Sequence, residues 1–415
     1  MSKTAVVIIH GMGAQRPQET LKDFVKNIAE EEDTIFSNPD RIAENFETRR
    51  LTIDKRHTDF FEYYWANLVK LPKTIEIVKW VVGIFFKKPS KRIKVLRIKI
   101  FFLLGAIATA IYACWYCFHT HEPISAAILT ALSLIGLFIV VRSVLNLFFI
   151  SIADSIGDVV KYLTPSPQNI SARFEIRKKG IDFLRKLHEA ERSPGKPKYN
   201  RIVVVAHSLG SVVAYDIIHN LWIDYMYKYQ PKSQIVDHGY IENMKQIISE
   251  EKFSPNDFVS HQREVLKGIN ALSNPWKITD FVTIGSPLGH GGYLLARNRK
   301  EFNSKVDFRE LPCCPPILEK GEFTFNEDFE VLNSKQLASI KVINHSSHFS
   351  FLRWHNIFFE NDFVGGENKV FGKGIRNHAF KPVGGWWTRN GWFASHTLYW
   401  ERNQKSREII KDIIF

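Results

Sequence analysis

The stretch RIVVVAHSLGS, Arg201 to Ser211, runs without a break into VVAYDIIHNLW, Val212 to Trp222. An unbroken run of branched apolar residues suits a strand covered on both faces, as at the centre of a parallel sheet, because a half-exposed strand would alternate. The residues that follow place apolar side chains at helical spacing. Between strand and helix stands Ser208, with the small residues Ala206 and Gly210 two positions away on either side. A strand, a small-x-Ser-x-Gly turn and a helix form a bend tight enough to lift the serine hydroxyl above the sheet edge. The helix N-terminus then points at that hydroxyl, where its N–H groups favour negative charge.

Toward the amino terminus, Ala5 to Ile9 in MSKTAVVIIHGMG reads as a buried strand followed by a glycine turn. Its apolar run is too short for the core of a cleaved signal peptide. Pro17 then precedes Leu21, Phe24, Val25, Ile28 and Ala29, one face of an amphipathic helix. The stretch SARFEIRKKGIDFLRKLHEA from Ser171 reads as a further helix ahead of the Arg201 strand. Strands alternating with helices indicate an α/β protein with a mostly parallel central sheet and helices on both faces.

The serine turn directs attention to acyl-transfer chemistry. A tetrahedral oxyanion needs two N–H donors at about 2.7–3.1 Å. Leu209, directly after the serine, supplies one, and the loop after His10 supplies the other, at Met12. A serine also needs a base and a group that orients it. Of the 15 histidines, His207 adjoins Ser208 but leaves the turn in another direction. His345, His348 and His355 surround a candidate strand, and His378 is read in a loop. His396, in WFASHTLYW just before a final helical stretch, is the expected base. Asp362, after the strand-like FSFLRWHNIFF, is the expected acid, with Glu360 as second choice. Asp280 precedes the strand FVTIG and is a poorer candidate, since catalytic groups gather at the carboxyl ends of strands. Ser286, in GSPLG, reads as a sheet-end turn bordering the pocket.

The set VVIIHGMG, VVVAHSLGS, FVTIGSPLG, Trp354-x-Asn356 with Asp362-x-Val364-Gly365, and SHTLYW resembles an α/β-hydrolase of the serine lipase/esterase type. The order Ser208, Asp362, His396 is that fold's order of nucleophile, acid and base. Phe363 stands where similar enzymes often carry Pro after the acid. The resemblance covers residues 1–35 and about 165–415, and implies a carboxylic ester hydrolase without a cofactor or metal. Nothing in the spacing suggests a zinc site, a dinucleotide fingerprint or a P-loop. A thioesterase or serine peptidase would use the same residues, and a non-catalytic membrane interaction module is the remaining alternative.

In that family's simple members the serine follows the first strand by roughly a hundred residues, as loop insertions permit; here the gap is far longer. Residues 71–160 account for most of the excess. Seven cations, Lys87, Lys88, Lys91, Arg92, Lys94, Arg97 and Lys99, stand without an acid among them. IFFLLGAIATAIYACWYCF, residues 100–118, follows with no charge, and reaches roughly 28 Å as a helix. A second uncharged run covers 124–141, and apolar sequence continues past Arg142 to Asp154. The two runs read as a transmembrane hairpin with both long flanks cytoplasmic by the positive-inside rule. The formal charge of +13 over 415 residues is thus concentrated beside a membrane, where it attracts anionic lipid, and does not describe a nucleic-acid surface. At 45% hydrophobic residues the chain is not a disordered one. Its four cysteines cannot form a disulfide framework; Cys114 and Cys117 read as packed side chains, and Cys313 and Cys314 receive no role. The expected organisation is a first hydrolase segment, 1–70, the membrane insertion, 71–160, and a second hydrolase segment, 161–415. Within the last, 221–274 reads equally as a helical cap over the site or as surface-loop packing. Such an anchor favours lipid esters, phospholipid or lysophospholipid first; the sequence leaves the oligomeric state open.

Overall fold

The branched run at Arg201 lies inside a strand, Tyr199–His207, that is hydrogen-bonded on both sides to parallel neighbours. The protein is a computed structural model, which describes residues 3–11, 16–42, 47–68, 112, 115, 161–164, 166–229, 239–250, 252–330, 337–362, 364–381, 396, 399 and 405–415. The chain divides into two compact units, Met1–Lys70 with Tyr162–Phe415, and Leu71–Lys161. In the second unit only Tyr112, Trp115 and Lys161 are described. Apart from Tyr112 and Trp115, the expected spans at 100–118 and 124–141, with the Lys87–Lys99 cluster, Cys114 and Cys117, therefore lie outside the described residues. Among the described residues no helix is long and apolar enough to cross a membrane.

The first unit begins with β1 (Lys3–Ile9), α1 (Glu19–Ile28), β2 (Ile35–Pro39), β3 (Arg49–Ile53) and β4 (Thr58–Tyr63). After the second unit come α2 (Pro167–Glu189), the short β5 (Glu191–Ser193) and β6 (Lys196–Pro197), β7 (Tyr199–His207), α3 (Gly210–Lys228), α4 (Gly239–Ser249) and α5 (Pro255–Ala271). The chain continues through β8 (Ile278–Ile284), α6 (Gly291–Leu294), α7 (Arg299–Asp307), β9 (Thr324–Glu330), β10 (Leu337–Ile343), β11 (Arg353–Phe359), β12 (Arg376–Phe380) and α8 (Ser406–Ile414).

One sheet organises this unit, in the order β12-β11-β8-β7-β1-β4-β3-β2. The strands from β12 to β4 are parallel, and β3 and β2 extend the edge as antiparallel additions. Alternate residues of the central strands feed two cores. Val6, Ile8, Val203, Val205, Val282 and Ile284 meet Leu21, Phe24, Val25 and Ile28 of α1 and Ile410, Ile413 and Ile414 of α8. Burying each such aliphatic side chain contributes about 1.5–3 kcal/mol, so the amphipathic stripe of α1 fixes that helix to the sheet. On the other face, Phe61 packs edge-on against Phe183 of α2 and Tyr199 of β7. The fold is thus α/β with a mostly parallel central sheet.

Three local readings change. The stretch 221–274 begins inside α3, which continues to Lys228, and there Trp222 and Tyr225 are buried against Trp276. His378 lies in β12, paired with Ile357, and not in a loop. Asp280 is inside β8, where its carboxylate takes Arg201 and Arg353. The His355 hydrogen bond and these two arginines, against the opposing effect of burial, hold it well below the usual carboxylate range.

Candidate active site

The chain passes from β1 to β4 on one side and then to β7 on the other, so the strand order reverses between β1 and β7. A crevice opens at the carboxyl ends of strands at such a point. His10 and Gly11 follow β1 there, and Ser208 follows β7.

Ser208 has φ 51°, a left-handed conformation that costs a non-glycine residue about 1–3 kcal/mol and persists only when neighbours hold it. Its N–H donates to Ile284 O at 2.9 Å, and its carbonyl accepts from Ser211 N–H at 3.0 Å and Ser211 Oγ at 2.6 Å. Ser286 Oγ bonds in turn to Ser211 Oγ at 2.6 Å and accepts from Leu288 N–H. Ser286 is fully buried and braces the serine turn, in keeping with its reading as a bordering turn. Gly210 is required by close approach: a Cβ there would collide with the carbonyl oxygens of Ile9 and His10. The start of α3 therefore rests directly on the end of β1.

His396 and Asp362 meet this serine. The Ser208 hydroxyl donates to His396 Nε2 at 2.9 Å, and His396 Nδ1–H donates to Asp362 Oδ2 at 2.8 Å. The ionised carboxylate only accepts, which assigns the proton to Nδ1. The Asp362 side chain is completely buried and that of His396 is 12% exposed. Asp362 also accepts from Val364 N–H at 2.8 Å and from Tyr399 OH at 2.9 Å. Burial alone would raise this carboxyl, but the His396 charge and these hydrogen bonds leave it below its ordinary value, so it is ionised at neutral pH. Glu360, the second choice, is exposed, and its N–H donates to Phe380 O, whereas the carboxylate bonded to His396 is that of Asp362.

Of the two expected oxyanion donors, Met12 lies outside the described residues. Leu209 is buried, and its N–H has no acceptor among the described residues. Behind the Gly11 turn, His10 is held on every side. Its ring stacks on Trp65, centroids 5.1 Å apart at 3°. Nδ1–H donates to Gly11 O at 2.8 Å, and Nε2 accepts the Trp65 N–H at 3.1 Å. The indole Nε1–H donates to His10 O at 3.0 Å. Burial lowers His10 to about 4, so it is a neutral structural ring. Glu62, at the end of β4, accepts the Gln18 N–H ahead of α1, and burial raises it to about 7.

The remaining histidines are elsewhere, except His207. Its ring stacks on His396 with centroids 5.0 Å apart at 26°, and its Nε2 lies 3.4 Å from His396 O. Desolvation and the His396 charge pull it to about 3, leaving a neutral ring beside the candidate base. His348 is buried against His219, and His355 stacks on His378. Sequence reasoning missed Trp65 and Tyr399; the spacing of Tyr399 three residues after His396, one helical turn, is the signal that could have found the latter. Among the described residues no group of three or more His, Cys, Asp or Glu could hold a metal ion. Cys313 and Cys314 are buried free thiols raised by desolvation.

Fold and site together define an α/β protein that carries a hydrogen-bonded Ser–His–Asp array where its parallel strand order reverses. No protein-family model, curated protein or solved structure matches the chain.

Proposed function

We propose that the chain is a membrane-anchored serine hydrolase that cleaves carboxylic esters, lipid esters first among them. The observation that carries this reading is the linear array Ser208 Oγ, His396 Nε2 and Nδ1, Asp362 Oδ2, with links of 2.9 and 2.8 Å, on a serine in a left-handed turn. Strained backbone at a buried polar turn is costly and is retained where it positions chemistry.

In the proposed reaction His396 Nε2 takes the Ser208 proton as Oγ attacks the ester carbonyl. Asp362 keeps the other ring proton on Nδ1 and stabilises the imidazolium. The carbonyl oxygen, now an anion, takes the Leu209 N–H and a second donor expected at Met12; each such donor contributes about 10²–10³ in rate. The imidazolium returns its proton to the leaving alcohol, and water repeats the sequence on the acyl enzyme. The uncharged runs at 100–118 and 124–141 and the Lys87–Lys99 cluster support anchoring beside anionic lipid with the hydrolase unit cytoplasmic.

Labelling with a fluorophosphonate probe tests the chemistry. Wild type labels and Ser208→Ala does not; equal, poor labelling of both removes the catalytic reading and favours an interaction module. Turnover of phospholipids, lysophospholipids, acylglycerols, thioesters and peptides by the purified protein then fixes the substrate class. A reporter in the His119–Pro123 link is accessible only from outside; access from the cytosol overturns the orientation.

A further inference from the structure

The helix α2 carries an outward surface that neither the sheet nor the candidate site uses. Ile170 is 54% exposed and Phe174 58% exposed, unusual for large apolar side chains one helical turn apart. With Ile181 they form a stripe, and at about 100° per residue Arg173 and Arg177 fall on one side of it and Lys178 and Arg185 on the other. These residues line a groove of about 530 Å³ shared with Asn220 and Asp224 of α3. Two of the cations are already paired: Arg177 with Asp216, and Arg185 with Asp182 and Asp224. Arg173 and Lys178 make no ion pair among the described residues; they lie over the rings of Tyr162 and Phe174 instead.

We propose that this face of α2 lies on an anionic membrane surface, with Ile170 and Phe174 entering the head-group layer and Arg173 and Lys178 meeting lipid phosphates. The inference rests on the membrane-anchored reading and adds to it a second lipid contact, on the hydrolase unit itself. Apolar side chains flanked by cations that make no ion pair among the described residues match an interfacial helix, and cations close to an anionic leaflet gain from its surface potential. Chain length agrees. Apolar sequence ends at Asp154, and the seven residues before Tyr162 reach no more than roughly 25 Å when extended. Pro167, the first residue of α2, follows four residues after Leu163.

The full chain with a benzophenone amino acid at position 174 is reconstituted into vesicles of phosphatidylcholine, with or without phosphatidylserine, and irradiated. The expected result is a lipid adduct at position 174 whose yield rises about threefold or more with phosphatidylserine. In Arg173→Glu/Lys178→Glu the yield falls back to the phosphatidylcholine level. An adduct with protein only, or a yield indifferent to phosphatidylserine in wild type, overturns the proposal without reference to any variant. Flotation of the same samples reports on the anchor separately. A chain that floats without a lipid adduct refutes this surface and leaves the anchor standing; a chain that neither floats nor cross-links refutes both.

Discussion

Tyr399 donates its hydroxyl to Asp362 Oδ2, the same oxygen that receives His396 Nδ1–H, while its own oxygen accepts the Phe359 N–H at 2.8 Å. The phenol links the last residue of β11 to the carboxylate that orients the candidate base. In Tyr399→Phe the buried Phe359 N–H loses its acceptor and Asp362 loses one donor. We expect kcat on a soluble ester to fall about tenfold with KM little changed, and stability to fall by about 1–2 kcal/mol. A purely structural tyrosine would lower stability and leave kcat per folded molecule intact.

Asp362→Asn keeps the volume and presents an amide where His396 needs an acceptor. The ring is then held in the wrong tautomer, with Nε2 protonated and unable to take the serine proton. Turnover should drop by about 10³–10⁴, read by steady-state kinetics. Glu360→Gln, an exposed side chain outside the array, should leave turnover unchanged; a comparable loss there would reassign the acid.

Gly210→Ala places a Cβ against the Ile9 and His10 carbonyls, two strand-end oxygens that cannot move without breaking the sheet. A cost of about 2–4 kcal/mol follows, together with loss of fluorophosphonate labelling. Gly195→Ala is the contrast: its φ is +73° and nothing lies within 4 Å of the added Cβ, so the strain of its backbone is the main cost, about 1 kcal/mol. Chemical denaturation of the two variants compares close approach with torsional strain.

Two kinds of buried group act oppositely on stability as pH changes. Glu62 is raised to about 7 from 4.5, so between those values the folded state binds more protons than the unfolded one. Its contribution falls as pH rises, by about 3 kcal/mol in all, and is flat above pH 7. His10, His188 and His207 are lowered by burial to about 4, 3 and 3. Each therefore gives stability that is complete above pH 6.5 and lost as pH falls toward those values. Wild type should unfold in acid below about pH 5. Glu62→Gln, whose amide oxygen still accepts the Gln18 N–H, should gain on wild type as pH rises from 5 to 7.5. Denaturant midpoints across that range check the sign; a gap that narrows with pH refutes the assignment.

What could be read from the chain follows from where information about burial is written. β1 and β7 are legible because a parallel strand covered on both faces is an unbroken branched run, and α1 because its apolar stripe repeats at helical spacing. β4 is fully buried yet escapes, since TDFFEY contains Asp59 and Glu62. Asp59 is accommodated by Lys3, Thr52 and Tyr199, residues 56, 7 and 140 positions away in the chain, and no local pattern announces such partners. β2 and β12 escape for the opposite reason: as edge strands they are largely exposed or partly buried and lack alternation. Ser208, Asp362 and His396 were legible through the turn and the chain order. Trp65 was not, because the targets of its main-chain and indole N–H groups are fixed only by the folded backbone, and Tyr399 was announced only by its spacing from His396.

The array joins residues that are made far apart in time. Ser208 precedes His396 by 188 positions, a delay of roughly 10–40 s at ribosomal rates. By then β1, β4, β7 and β8 have all been synthesised, but the serine is still an ordinary alcohol. His396 arrives just ahead of α8, whose Arg407 and Lys411 pair with Glu30 beside α1. Nascent chains that stall or are cut before that point therefore carry Ser208 without His396, and on the proposed reading cannot cleave an ester.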